Sequence, residues 1–317
     1  MRKDIKVVFM GTPEFACESL KEIYEAGFNI VGCFTNPDKP SGRGMKLKAS
    51  AVKEYAIEKN IPIYQPKKIR NNQEVLDILD KLAPDVIAVV AYGKILPKEV
   101  LDIPKYGCIN VHGSLLPKYR GAAPMQWALI NGEKETGITT MFMDVGMDTG
   151  DMLLKEEIEI KDDYNLETLH DKLMVIGAKL LVKTIDGVVS GTITRIPQPK
   201  DGTYAPMITR DMTKIDFNKS AKEIFNFVRG LSPFPGTYME LEDGRKYKVF
   251  DVSYKEDKNI DSTVEPGDIL LMSKDSLYIR CKDGYIMINK IQPENSKRMD
   301  IRAFMAGNRF NMMDKFI

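Results

Sequence analysis

Residues 85–91, Asp-Val-Ile-Ala-Val-Val-Ala, are almost wholly apolar. A strand of this kind is buried on both faces, and such strands belong inside parallel sheets with helices above and below. The flanking sequence agrees. Ile5–Met10, Ile30–Thr35, Ile61–Tyr64 and Gly107–His112 read as further short strands. Between them lie helical stretches at Glu14–Ala26 (spacing of Phe15, Leu20 and Ile23), Ala51–Lys59, Val75–Lys81 and Pro124–Asn131. Strand and helix in alternation define an α/β, Rossmann-like doubly wound domain. The long amphipathic stretch Leu166–Ile185 closes it. Gly11-Thr-Pro-Glu follows the first strand, but no G-x-G-x-x-G is present, which argues against a nicotinamide enzyme and leaves a tight strand-to-helix turn.

The pattern then changes. Ser190–Thr209 is proline-rich and reads as a linker. After it come one helix, Ala221–Arg229, and short strands at Gly236–Leu241, Lys246–Phe250, Gly267–Met272, Leu277–Arg280 and Tyr285–Ile288. Turns such as Glu242-Asp-Gly-Arg and Lys282-Asp-Gly-Tyr separate some of them. Five short strands predict a small OB-like β-barrel. The domains expected are therefore residues 1–189 and 210–317, joined by 190–209. A chain of 317 residues suits two domains of ordinary size.

The net charge of +1 announces no nucleic-acid partner globally, so any such site is local. Cys17, Cys33, Cys108 and Cys281 have neither CxxC nor metal-ligand spacing and read as reduced, packed thiols of a cytoplasmic protein. No signal-peptide core and no apolar run of about 18 residues is seen, so neither secretion nor a membrane span is expected.

The functional signal is concentrated in Cys108–Pro124, which holds one of only two histidines. Asn110 and His112 lie two apart at a strand end, so both side chains point one way. A carboxamide and an imidazole on one face can grip a single carbonyl oxygen. Ser114-Leu-Leu-Pro and Gly121-Ala-Ala-Pro then turn the chain, as an active-site loop beyond a strand would. The plainer alternative is a buried, hydrogen-bonded histidine. His170, on a helix with Leu166, Leu169 and Leu173, reads as structural or solvent-exposed.

Asn-x-His followed by Ser-Leu-Leu-Pro resembles the folate-dependent formyltransferases. Phe9–Phe15, Asn36–Gly44 and Val228–Gly236 resemble the branch that formylates methionyl-tRNA, and the similarity runs nearly end to end. The resemblance implies that the protein moves formyl from 10-formyltetrahydrofolate to the amino group of initiator methionyl-tRNA. No metal is needed, because the donor already carries an activated formyl, and a monomer is expected. It picks Asp148 from Met143–Met152 as the third catalytic residue with Asn110 and His112; Asp144 and Asp151 are competitors, and three acids together also raise a Mg²⁺ site or a simple turn. Formyl transfer needs donors for a developing oxyanion and a group to take the amine's proton. Asn110 supplies an amide donor, His112 a charged donor when protonated, and Asp148 a carboxylate that holds His112 or takes the proton through water.

Ser114, Leu115, Leu116 and Pro117 match the family's folate-contacting stretch. Val90, Ala91 and Tyr92, at the end of the apolar strand, form a second candidate wall. Asn36–Lys53 carries five cations (Lys39, Arg43, Lys46, Lys48, Lys53) against one acid, Asp38, a net +4, and reads as a long basic loop. On composition it is a solvated surface loop; the resemblance implies that it enters the tRNA acceptor stem, with Arg43, Lys46 and Lys48 as contacts. It also implies a tRNA-binding role for the second domain. Formyltransferases acting on amino sugars or glycinamide ribonucleotide, a formyltetrahydrofolate hydrolase, and a tRNA-binding module on an inactive scaffold remain as alternatives.

Overall fold

The computed structural model describes residues 2–41, 46–257, 259, 261, 263–307 and 310–317. The chain forms two compact units, which interleave in sequence: residues 1–121, 136–158 and 170–204 make the first, and 122–135, 159–169 and 205–317 the second.

The first half of the chain alternates as its sequence predicts. β1 (Lys6–Gly11), α1 (Glu14–Glu25) and β2 (Asn29–Phe34) lead to a short pair, β3 (Lys39–Ser41) and β4 (Lys46–Lys48). Then come α2 (Ala51–Glu58), β5 (Ile63–Tyr64), α3 (Gln73–Leu82), β6 (Val86–Val90), α4 (Lys98–Leu101), β7 (Cys108–His112) and α5 (Pro124–Ile130). β8 (Glu135–Phe142), β9 (Met152–Glu159) and α6 (Leu166–Ser190) follow. The seven-stranded sheet has the order β5-β2-β1-β6-β7-β8-β9. Its first five strands are parallel, and β8 turns antiparallel against β7. Every residue of β6 is buried, as a central parallel strand requires. The order reverses between β1 and β6, and ligands of doubly wound folds bind beyond the strand ends at such a point.

Two expectations need correction. β8 and β9 are absent from the sequence reading, and residues 36–53 are not a structureless loop. Within it Lys39 pairs with Lys48 and Pro40 with Leu47 across β3 and β4, and α2 begins at Ala51. Ser50 caps α2 by accepting from Lys53 N–H, so Lys53 is helical, and its ammonium meets Asp38 at 2.7 Å. One of the five cations is therefore already paired.

In the second unit α7 (Ala221–Leu231) is followed by β10 (Thr237–Glu240), β11 (Lys246–Glu256), β12 (Ile269–Met272), β13 (Leu277–Cys281), β14 (Gly284–Pro293), β15 (Met299–Asp300) and α8 (Ile301–Met305). The antiparallel sheet runs β10-β11-β14-β13-β12, with β15 on β14. Its two outer strands are joined by one strip. Phe316 bridges Leu241 just past β10, and Lys315 bridges Asp268 just before β12. Glu242 N–H donates to Lys315 O, Phe316 N–H to Gly267 O and Ile317 N–H to Glu240 O. The strip closes the small barrel around Val249, Ile279, Ile286, Ile291 and Phe316, all buried.

Candidate active site

The loops beyond β1, β2, β5 and β6 are tied through one residue, Asn36. Asn36 Nδ2 donates to Thr12 Oγ1 (3.0 Å) and to Tyr92 O (3.0 Å), while Gln65 Nε2 donates to Asn36 O (2.9 Å). Gly11 permits the turn from β1, since a Cβ there would lie 2.8 Å from Val90 O. Sequence reasoning placed Asn36 at the start of the Asn36–Gly44 match but gave it no role of its own.

β7 carries the centre. Asn110 and His112 lie two apart on it, opposite Met141 and Thr139 of β8. The Asn110 carboxamide is part-exposed and makes no hydrogen bond among the described residues. His112 is buried, with Nε2 2.9 Å from Tyr119 O. A carbonyl only accepts, so Nε2 carries the proton and donates. Nδ1 lies 3.6 Å from Asp148 Oδ2.

Asp148 has a left-handed backbone, φ 54°, and its Oδ2 accepts from Gly121 N–H at 2.8 Å. Of its competitors, Asp144 has its carboxylate engaged in its own turn. Asp144 accepts from Thr149 Oγ1 and Gly146 N–H, which is turn chemistry. Asp151 accepts through its carbonyl from Phe142 N–H. No group of three His, Cys, Asp or Glu comes together to hold a metal among the described residues.

A buried guanidinium stands behind the Asp148 turn. Arg120 is 3 % exposed and donates from Nε (3.0 Å) and Nη2 (2.8 Å) to Gln198 Oε1. Gln198 Nε2 donates in turn to Asp148 O (2.9 Å) and Gly150 O (2.8 Å).

The turn after His112 is held from β8. Thr139 Oγ1 donates to Ser114 O and accepts from Leu116 N–H, and Ser114 Oγ donates to Lys118 O. Ser114 and Leu116 are buried, and Leu116 packs with Met141 and Met152; Leu115 and Pro117 are half-buried. At the other candidate wall Val90 and Tyr92 are buried and Ala91 is exposed. Burial pushes the Tyr92 hydroxyl's pKa up, so it stays protonated. Only the backbone and Ala91 of that stretch can face a ligand.

Arg43 lies outside the described residues. Lys46 opens β4, and Lys48 on the same strand is exposed. His170 pairs with Asp171 at 3.0 Å and meets Phe15 edge-on.

The description "Formyl transferase" matches residues 5–185, and "Formyl transferase, C-terminal domain" matches 207–309. The chain belongs to the formyltransferase family. Its similarity to a methionyl-tRNA formyltransferase of Clostridium novyi is 50 % identity over 96 % of this chain and 97 % of the relative. To that of Caldanaerobacter subterraneus it is 49 % over the same shares. Within the family it groups with the methionyl-tRNA formyltransferases. Among solved structures, WlaRD, a sugar 3N-formyl transferase determined with dTDP and 5-N-formyl-THF, shares the fold at TM-score 0.66 and 20 % identity, over 92 % of this chain and 99 % of that one. HypX of Aquifex aeolicus, in complex with tetrahydrofolic acid, does so at 0.62 and 14 %; 94 % of this chain spans 46 % of that longer protein.

Proposed function

We propose that the protein transfers the formyl group of 10-formyltetrahydrofolate to the amino group of initiator methionyl-tRNA, giving the formylated aminoacyl-tRNA used to begin translation. The observation that carries this is the facing of His112 and Asp148 beside an unengaged Asn110 in a chain half identical to methionyl-tRNA formyltransferases along nearly its full length.

Asn110 Nδ2 supplies a neutral donor for the oxyanion of the tetrahedral centre. His112 Nε2 is committed to Tyr119 O, which leaves Nδ1 as the ring nitrogen that meets the reacting groups. Asp148 holds the positive charge that His112 acquires when it takes the amine's proton, or accepts that proton through a bridging water; as the tetrahedral centre collapses, the bond from the formyl carbon to N10 breaks and the proton passes on to N10 of the departing tetrahydrofolate. The folate donor lies between the Ser114–Pro117 turn and the Val90–Tyr92 loop. There Leu115, Pro117 and Ala91 offer apolar contact and the loop backbone offers hydrogen bonds. Arg43, Lys46 and Lys48 meet acceptor-stem phosphates, and the second unit adds further tRNA contacts. The reading carries with it a monomer acting in the cytoplasm; sedimentation at working concentration tests the oligomeric state.

Incubation with labelled formylfolate and a panel of charged tRNAs tests the activity. Label is expected on methionine esterified to initiator tRNA. Label on amino sugars instead, or release of free formate alone, would sink the reading.

A further inference from the structure

We propose that Gln198 is a positioning residue for Asp148, holding its backbone so that the carboxylate faces His112. The proposal rests on the catalytic reading of Asp148.

Asp148 sits at φ 54°, a left-handed conformation that an aspartate tolerates but does not prefer, so the turn gains from being held. The carboxylate contact with Gly121 N–H fixes one oxygen and leaves the backbone free to relax. The Gln198 amide supplies the missing constraint by donating to two carbonyls of the same turn, Asp148 O and Gly150 O. Its Oε1 takes two guanidinium donors from Arg120, so the four hydrogen bonds leave no freedom to flip the amide. Arg120 is itself buried, donates to Pro199 O at 2.9 Å and forms no ion pair among the described residues. Gly202 packs against it; a Cβ there would lie 2.7 Å from the guanidinium carbon. The turn also lies close against β8: a Cβ at Gly150 would sit 1.9 Å from Phe142 O. Gln198 comes from a segment whose sequence reads as a linker, so the catalytic turn is braced in part by a residue outside every motif of the family resemblance.

The constraint acts through one carboxylate, and this gives the test. Gln198→Ala and Gln198→Glu are made in the native chain and in Asp148→Asn. Glutamate keeps the size and the acceptor for Arg120 but turns an oxygen toward the two carbonyls. Displacing a catalytic group by about 1 Å costs up to roughly 10²-fold in rate. Either variant is therefore expected to lower kcat on methionyl-tRNA about tenfold to hundredfold, with the KM for formylfolate within about twofold. In the Asp148→Asn background the same changes should cost nothing further, because the group they position is gone. Losses that multiply in the two backgrounds, or a Gln198→Glu enzyme with native kcat, would overturn the proposal.

A second readout needs no substrate. With only two histidines in the chain, the His112 ring signal can be followed by NMR at one fixed pH. Its chemical shift in Gln198→Ala should move toward that in Asp148→Asn; an unmoved signal also overturns the proposal. If the native protein does not formylate methionyl-tRNA, the functional reading fails while this comparison still decides the role of Gln198.

Discussion

At the scale of single residues, the site joins a strand periodicity to a turn. The i, i+2 spacing of Asn110 and His112 was legible because a strand alternates its faces. Asp148 was not legible from spacing, since its place depends on a left-handed backbone and on Gln198 fifty residues away. It entered the sequence reading only through the family resemblance. His112→Ala is expected to lower formyl transfer by ~10²–10⁴ and Asn110→Ala by ~10²–10³, without loss of the folded state by circular dichroism. A His112→Ala enzyme keeping more than about a tenth of the native rate would remove it from the mechanism.

The cysteines give a second expectation at this scale. All four are free and buried. Burial pushes the Cys33, Cys108 and Cys281 thiols up to about 12 from an ordinary 9.0. In the unfolded chain these thiols lose their protons first. Between about pH 9 and 12 the native state therefore holds more protons than the unfolded one, and stability falls as pH rises. Native protein at pH 8 should resist iodoacetamide at these three positions and react once denatured. Equal labelling in the two states would show that the thiols are not shielded.

At the scale of elements, the parallel strands were readable because burial on both faces leaves continuous apolar runs. β8 and β9 leave a weaker trace. β8 is Glu-Thr-Gly-Ile-Thr-Thr-Met-Phe, with three threonines that are buried all the same, and two of them serve as hydrogen-bonding posts for other segments. β9 alternates Lys, Glu and Ile beyond its first residues, as an outer strand does. The β3–β4 pair was masked by its own charge: lysines dominate it, and its Leu47 is exposed rather than part of a buried alternation. α7 was legible from its start. Ser220 accepts from Glu223 N–H while Glu223 Oε2 accepts from Ser220 N–H, a full capping box. Ser220→Ala should destabilise the second unit by about 1 kcal/mol, read as a lowered thermal midpoint. The rate of formyl transfer per folded molecule should stay unchanged. An unaltered midpoint would mean that the cap is idle.

At the scale of the whole molecule, the two-part organisation was legible from a change in pattern, from alternating strands and helices to strands separated by tight turns. The interleaving of the units was not. Ala122–Glu135 and Glu159–Leu169 look in sequence like parts of the first unit, yet they pack with the second. Arg229, buried on α7, donates to Lys161 O and so anchors one of these excursions. The barrel was expected from its five short strands, but its seam was hidden, because it is made by three residues with no strand pattern. Phe316 fills the core there, and Gly267 must remain side-chain-free: at φ +94° a Cβ would lie 2.0 Å from Phe316 O. Phe316→Ala is expected to cost about 3–5 kcal/mol, and Gly267→Ala to be comparably damaging through the backbone. Urea unfolding followed by fluorescence would measure both, and a loss under 1 kcal/mol for Phe316→Ala would show the seam to be loose.

That seam has a consequence beyond stability. The 315–317 strip meets both outer strands of one sheet, so its release would bare backbone donors and acceptors along β10 and β12 together. A single exposed edge recruits one foreign strand; two on the same sheet let each molecule accept a neighbour on either side and so propagate a chain of molecules. Protein weakened at Phe316 should for this reason be lost first to concentration-dependent aggregation, well before its active site fails.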